Sequence, residues 1–295
     1  MREVSKGERT GYYPLILERH PAFLRFTVYI AVCGSSEVSR SRFNILPVLL
    51  FAVYFSLLLY AAQTSFALSD GEIITLQSGL KNKPVGERIA FWAEKFIGVP
   101  YDKYPMGEYV SKSVIVADER VDCMYLTFRA VELALSGTPD EAIDIALNKR
   151  FHSKGIIKDG KVINYDNRFE YGEDMIHSDK WGKEITSHIG RVKRTNGSRG
   201  KDFIEFLPPD ELRIKMNALK SGDIIFFIKD PKKRSQKEEI IAHMGIIKTE
   251  NKKVYLIHAG GIKGKGGVVK KALFKNYIKK MPFVGAKITR FNEPL

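Results

Sequence analysis

At 295 residues with 44% hydrophobic content, the chain is long enough to bury a full core, as one large domain or two small ones, and its composition excludes intrinsic disorder. Its formal net charge of +14 points to an anionic partner; residues 1–67 hold seven Lys/Arg and four Asp/Glu, which leaves +11 for the remainder. No helix-turn-helix, RNP or zinc-finger pattern accompanies the charge, so nucleic acid is set aside in favour of cell-wall polymer or an anionic membrane surface.

Near the N-terminus, Arg40 and Arg42 precede an almost unbroken apolar run from Ile45 to Ala62, and Ser65-Phe66-Ala67 closes it as a small-x-small site. This pattern reads as a signal peptide at about 40–67, cut after Ala67, so that residues 68–295 form the exported domain, periplasmic or envelope-associated. The alternative is an uncleaved membrane anchor, because the run is close to the minimum spanning length. Residues 1–40 carry a second apolar patch, Phe23 to Cys33, broken by Arg25, and are consistent with an upstream start codon. Val32 before Cys33 departs from a lipoprotein box. Cleavage removes Cys33 and leaves Cys123 as the sole thiol, which an oxidising compartment cannot pair internally.

Downstream, Ile89, Trp92 and Phe96 recur at helical spacing between Val85 and Phe96, and Gly98-Val99-Pro100 stops that helix. Residues 101–120 read as loop and a short strand ending at Ser113 to Val116. A helix beginning near Cys123 places Leu126, Ala130, Leu133 and Ala134 on one face and stops at Gly137. Thr138-Pro139-Asp140-Glu141 reads as a capping box opening a short helix to Lys149. Asp159-Gly160 marks a hairpin within Gly155 to Tyr165, and Arg191 to Lys201 reads as a mobile polar loop. Strands are expected within Leu219 to Ile228, after a turn, and at Ile240 to Lys248, Lys253 to His258 and Val284 to Phe291. The second and third should be joined at Glu250-Asn251, with a Gly/Lys loop at Gly260 to Gly267. Lys229 to Glu239 is a charge-rich connection.

Chemistry concentrates on three residues. A thiol at a helix N-terminus feels the positive end of the helix dipole, which favours thiolate and makes Cys123 a candidate nucleophile. His243, in Ile-Ile-Ala-His-Met-Gly, and His258, in Leu-Ile-His-Ala-Gly, stand on neighbouring strands and supply a candidate base and its orienter. Each also has a purely structural reading, as a core Cys at the start of an apolar helix and as satisfied core histidines. His20, His152, His177 and His188 show no metal-like spacing with a second ligand, so no metal and no cofactor is expected.

Together, Leu-Lys-Ser-Gly-Asp-Ile-Ile-Phe-Phe (219–227), the Ala-His-Met-Gly strand, the Ile-His-Ala strand and an upstream Asp-Cys resemble the NlpC/p60 superfamily of papain-like cell-wall hydrolases. Within it the chain is most similar to the N-acetylmuramoyl-L-alanine amidase-like branch. Phe96-x-Gly98-x-Pro100-Tyr101, Arg168 ahead of Asp174-x-Ile176, and a Leu273…Tyr277 element carry that similarity over residues 85–292. The resemblance implies an α+β fold with a papain-like core, the Cys helix packed on an antiparallel sheet that bears the histidines. It implies a Cys123-His243-His258 triad, Tyr101 at the oxyanion, Asp122 reading a substrate amine or hydroxyl, and Arg168 pairing with a stem-peptide carboxylate. It implies peptidoglycan or muropeptide as substrate, cut between N-acetylmuramic acid and L-alanine. The alternatives are cleavage between D-glutamate and the diamino acid, a non-catalytic cell-wall binding module, or lipid acyl transfer, although permuted lipid-acting relatives place His before Cys. Tyr125, Phe128 and Glu170 depart from the branch's pattern, and the resemblance therefore leaves fine specificity to them.

Overall fold

The computed structural model describes residues 67–233, 239–262 and 264–293, all within one compact unit spanning 61–295. The expected signal peptide or anchor and the Cys33 site lie outside the described residues, as does part of the Lys229 to Glu239 connection. Among the described residues no helix is long and apolar enough to cross a membrane.

The chain begins with helices α1 (Asp70–Leu80), α2 (Val85–Lys95), α3 (Glu108–Ser111), α4 (Cys123–Leu135) and α5 (Pro139–Lys149). A small hairpin, β1 (Ile157–Lys158) and β2 (Lys161–Val162), leads to helix α6 (Gly172–His177), strand β3 (Lys183–Glu184) and helix α7 (Thr186–Ile189). A second hairpin, β4 (Lys193–Asn196) and β5 (Phe203–Phe206), precedes helix α8 (Pro209–Lys215). The long strands follow: β6 (Ile224–Lys229), β7 (Ile241–Glu250), β8 (Lys253–Ile262) and β9 (Gly266–Leu273), then helix α9 (Phe274–Lys280) and β10 (Phe283–Arg290). Six strands form one sheet in the order β3-β10-β6-β7-β8-β9, antiparallel at every pairing. The fold is therefore α+β, as expected.

Alternation along β6 shows how the sheet is covered on both faces. Ile224, Phe226 and Ile228 join the larger core, which takes in Trp92 of α2 and Leu126 and Val131 of α4, whereas Ile225 and Phe227 join a smaller core with Leu212 of α8 and Phe274 and Ile278 of α9. A continuous apolar run such as Ile-Ile-Phe-Phe-Ile is what a strand buried on both faces requires.

Local chemistry accounts for the element ends. Asp122 caps α4 by accepting the Tyr125 N–H at 2.9 Å, which satisfies one of the orphan donors of the first turn and sets the helix start at Cys123. Thr138 caps α5 as expected, but Glu141 reaches back to the Gly137 N–H at 2.6 Å, one residue earlier than a capping box would have it. A true capping box opens α1, where Ser69 and Glu72 exchange bonds. The strand expected at 113–116 does not form; a loop follows α3 there. Arg191 to Lys201 is no free loop, since β4 within it pairs with β5. The turn after β7 is at Asn251-Lys252, both at positive φ, one residue later than expected. Most of Gly260 to Gly267 belongs to strands, because β8 continues to Ile262 and pairs there with β9.

Tyr125 and Phe128 serve the interior. Tyr125 hydroxyl donates to Asp118 Oδ1 at 2.8 Å and accepts from the Ala117 N–H, Arg129 Nε contacts both Asp118 oxygens at 3.1 Å, and Phe128 packs on Trp181. One helical turn further, Glu132 accepts Arg150 Nε at 2.6 Å and Nη2 at 2.7 Å, while Arg150 Nη1 donates to the Ile115 carbonyl at 2.8 Å. The Arg150 guanidinium also lies 4.9 Å from the Tyr125 ring and 5.3 Å from the Phe128 ring. These residues strap the 115–118 loop to α4, and neither aromatic is positioned to choose a substrate. Removing one partner of so deeply buried an ion pair strands the other charge. Glu132→Ala should therefore cost about 3–5 kcal/mol, seen as a lowered urea midpoint with an unchanged slope; a change within about 0.5 kcal/mol, the size of an ordinary surface substitution, would contradict this account of the strap.

Candidate active site

His243 and His258 come together across β7 and β8, with His243 Nε2 2.9 Å from His258 Nδ1. The rings meet edge to face with centroids 5.0 Å apart. Three aromatic side chains enclose them: Phe227 and Phe283 stack on His243 at 5.8 and 6.1 Å, and Tyr277 meets His258 edge-on at 5.0 Å. This enclosure depresses both imidazoles. Burial, reinforced by the charge of His258, lowers His243 to about 3, and burial with the nearby Lys270 lowers His258 to about 4. Both rings are thus neutral at pH 7, and a short contact between neutral imidazoles needs one to donate and the other to accept.

A β-bulge gives His243 its direction. Phe227 faces His243 and Ile228 faces Ile241, so Ala242 is an extra residue on β7. In a regular strand Ile241 and His243 would share a face. The extra residue instead lets Ile241 enter the larger core while His243 stacks on Phe227 on the other side.

Cys123 occupies the first position of α4, half-buried against the larger core. Its charge is felt at two phenols. Burial first, and the Cys123 charge second, push both Tyr101 and Tyr277 well above the ordinary tyrosine value. Asp122 and Asp102 add to the effect at Tyr101. Cys123 is therefore linked electrostatically to Tyr101 on one hand and, through Tyr277, to the ring that touches His258.

Tyr101 is held from two directions. Its N–H donates to the Gly267 carbonyl at 2.8 Å, and it bridges in parallel to Val121, immediately before Asp122 and Cys123. Its ring lies directly over Gly261, where any Cβ would collide with the ring carbons. Gly261 is thus a packing requirement of the Tyr101 ring. Asp102, fully buried, accepts the Tyr104 N–H at 3.0 Å and the Glu108 N–H, which ties the following loop to α3.

The remaining expected residues are engaged in the fold. One oxygen of Asp122 is committed to the helix cap. Arg168 Nη2 pairs with Glu170 at 2.7 Å and Nη1 donates to the Tyr165 carbonyl at 3.1 Å, so a substrate carboxylate at Arg168 would have to compete with Glu170. Both Asp122 and Arg168 act electrostatically on the buried Tyr109, which puts them in one neighbourhood. Tyr277 is the site residue that motif reading does not single out, although the Leu273…Tyr277 element contains it.

The depressed histidines carry a linkage consequence. An unfolded histidine takes up its proton near 6.5, whereas the folded pair refuses it until about 4 and 3. Stability is then fully present above pH 6.5 and declines as pH falls toward those values, by at most about 1.4 kcal/mol per unit for each ring. Urea unfolding at pH 7 and pH 5 should show the loss, and His243→Gln should shrink it. An equal loss in the variant would contradict the burial of this pair as its cause.

No family profile matches the chain, and no curated protein sequence does. Solved structures do share its fold. An N-acetylmuramoyl-L-alanine amidase from Bacteroides uniformis is 20% identical, with 71% of this chain and 99% of the other covered at a TM-score of 0.56. A Legionella pneumophila protein of family DUF1460 is 16% identical at a TM-score of 0.58, with 76% and 94% covered. A Bacteroides fragilis protein provisionally named a xylanase is 18% identical at a TM-score of 0.51, with 68% and 100% covered. At these identities the shared property is the α+β fold, which takes in nearly the whole of each of the three neighbours.

Proposed function

We propose that the chain is an exported cysteine hydrolase of peptidoglycan or its fragments, of NlpC/p60 type, which cuts the amide between N-acetylmuramic acid and L-alanine. The observation that carries the reading is the bonded His243–His258 pair, whose Tyr277 neighbour feels the charge of a cysteine at a helix N-terminus. The amidase among the structures of the same fold supports the choice of bond.

In this reading His243 donates Nε2–H to His258, which leaves its Nδ1 basic. Nδ1 takes the Cys123 thiol proton as sulfur attacks the lactyl carbonyl carbon. The tetrahedral oxyanion is met by the Cys123 N–H and the Tyr101 hydroxyl, which the raised pKa keeps protonated. Collapse breaks the C–N bond, and His243 returns the proton to the departing L-alanine amine. Water, deprotonated by the same nitrogen, then hydrolyses the thioester and restores the thiol. The products are a glycan with a free lactyl carboxyl group and a peptide with a free N-terminus. Asp122 reads an amine or hydroxyl of the substrate and Arg168 a stem-peptide carboxylate. Residues 1–67 deliver residues 68–295 across the membrane, as a cleaved signal or as an anchor that leaves the domain at the membrane surface.

Purified muropeptides separate the readings. The expected products are disaccharide and intact stem peptide; release of L-Ala-D-Glu would assign the cut to the D-glutamyl–diamino acid bond instead. Cys123→Ala should abolish turnover, and retained hydrolysis would remove Cys123 as nucleophile; a wild type inert on every muropeptide would favour a binding module. Because the free base titrates far below 6.5, kcat/KM should hold down to about pH 5. An acidic limb at 6.5 or above would contradict the enclosed pair as base.

A further inference from the structure

Beyond the Asp174-x-Ile176 spacing, the sequence and the shared fold leave α6 without a role, yet it is docked on the residues just before His243. Glu173 is only 1% exposed, and one of its oxygens, Oε1, accepts both the Ile241 N–H at 3.0 Å and the Ile240 N–H. These two donors immediately precede Ala242, the extra residue of the bulge, and His243 follows it. Gly172 lies against the side chains of the same stretch: a Cβ there would come within 2.5 Å of Ile241 Cγ2 and 3.2 Å of Met244 Cε. The helix is therefore pressed flush against the stretch 241–244 at both of its first two residues. Asp174, next in line, is held by Arg199 Nε at the tip of the β4–β5 hairpin, so α6 is anchored from behind as well.

A carboxylate that takes two successive backbone N–H groups out of a strand ladder fixes the local backbone where the strand changes face. From this geometry we infer that Glu173 is a positioning residue for His243: it clamps the Ile240–Ile241 backbone and so holds the Ala242 bulge that turns the imidazole toward His258. Burial raises the pKa of this carboxyl, and its own N–H together with those of Ile240 and Ile241 works against that cost. Its second oxygen, Oε2, makes no hydrogen bond. The clamp needs one acceptor oxygen in place and does not need the negative charge, which separates Glu173 from a catalytic acid.

The inference rests on the proposed hydrolase reading only for its activity readout. In the full chain, Glu173→Ala should lower kcat on muropeptides by about 10²-fold, the scale of an ångström-level misplacement of a reacting group, with KM within about 2-fold, the signature of a lost transition-state contact. Glu173→Gln keeps an oxygen for both donors and should restore kcat to within about 3-fold of wild type, a loss of under 1 kcal/mol. A Gln variant as poor as the Ala variant, or an Ala variant with wild-type kcat, would overturn the clamp. Iodoacetamide labelling of Cys123 at pH 7 provides the independent arm. If His243→Ala slows labelling and Glu173→Ala slows it comparably while Glu173→Gln does not, the clamp stands even without muropeptide turnover. If His243→Ala slows it and Glu173→Ala leaves it unchanged, the clamp fails and the base assignment survives. If His243→Ala has no effect, the hydrolase reading fails.

Discussion

Two imidazoles 2.9 Å apart in an aromatic enclosure can share one proton and cannot both be charged. Much of the sheet around them is arranged to permit that contact. Gly245 stands where a side chain would press within 2.8 Å of the Ile257 carbonyl and 3.1 Å of His258 Cβ, so the strands can close on the pair only if that position is bare. The bulge at Ala242 directs one ring, and the register of β7 on β8, with Ile246 against Ile257, sets the other diagonally across from it. Phe227, Tyr277 and Phe283 then exclude water, and that exclusion lowers the basicity of both rings.

The helix that carries Cys123 is fixed by a different kind of force. Its far side buries charges in pairs, Asp118 with Arg129 and Glu132 with Arg150, and these pairs hold the loop that feeds into Val121, Asp122 and Cys123. Such pairs add little net stability over apolar packing, but they admit a single geometry, because any slip would leave a buried charge without its partner. The Cys123 end of α4 is thereby held by directional bonds, and the sheet by apolar burial. Tyr101 joins the two, bridged to Val121 on the helix side and lying over Gly261 on the strand side.

What could be read from the chain follows from the range of each interaction. The helix start near Cys123, the apolar run of β6 and the strands around both histidines are local patterns, and they form nearly where periodicity places them. The meeting of His243 and His258 was legible for the same reason. Helix α1 was legible in principle, since Ser69 and Glu72 stand at capping-box spacing, but its polar composition after Ala67 obscures it. Tyr125 and Glu132 could not be assigned to the core from spacing, because what makes a tyrosine and a glutamate acceptable inside α4 is Asp118 and Arg150, supplied by other segments. Glu173 lies 67 residues from the backbone it holds. The glycines at 260–267 mislead for a physical reason as well: they resemble a loop, yet Gly261 is bare because a ring packs on it within a strand.

The proposed hydrolysis requires a covalent bond between Cys123 and the substrate. Rapid acid quenching of the full chain during muropeptide turnover, followed by peptide mapping, tests this directly. The account predicts a glycan-lactyl thioester on Cys123 in wild type, and none in His243→Ala. Products that accumulate without an adduct on Cys123, or an adduct on another residue, would contradict it.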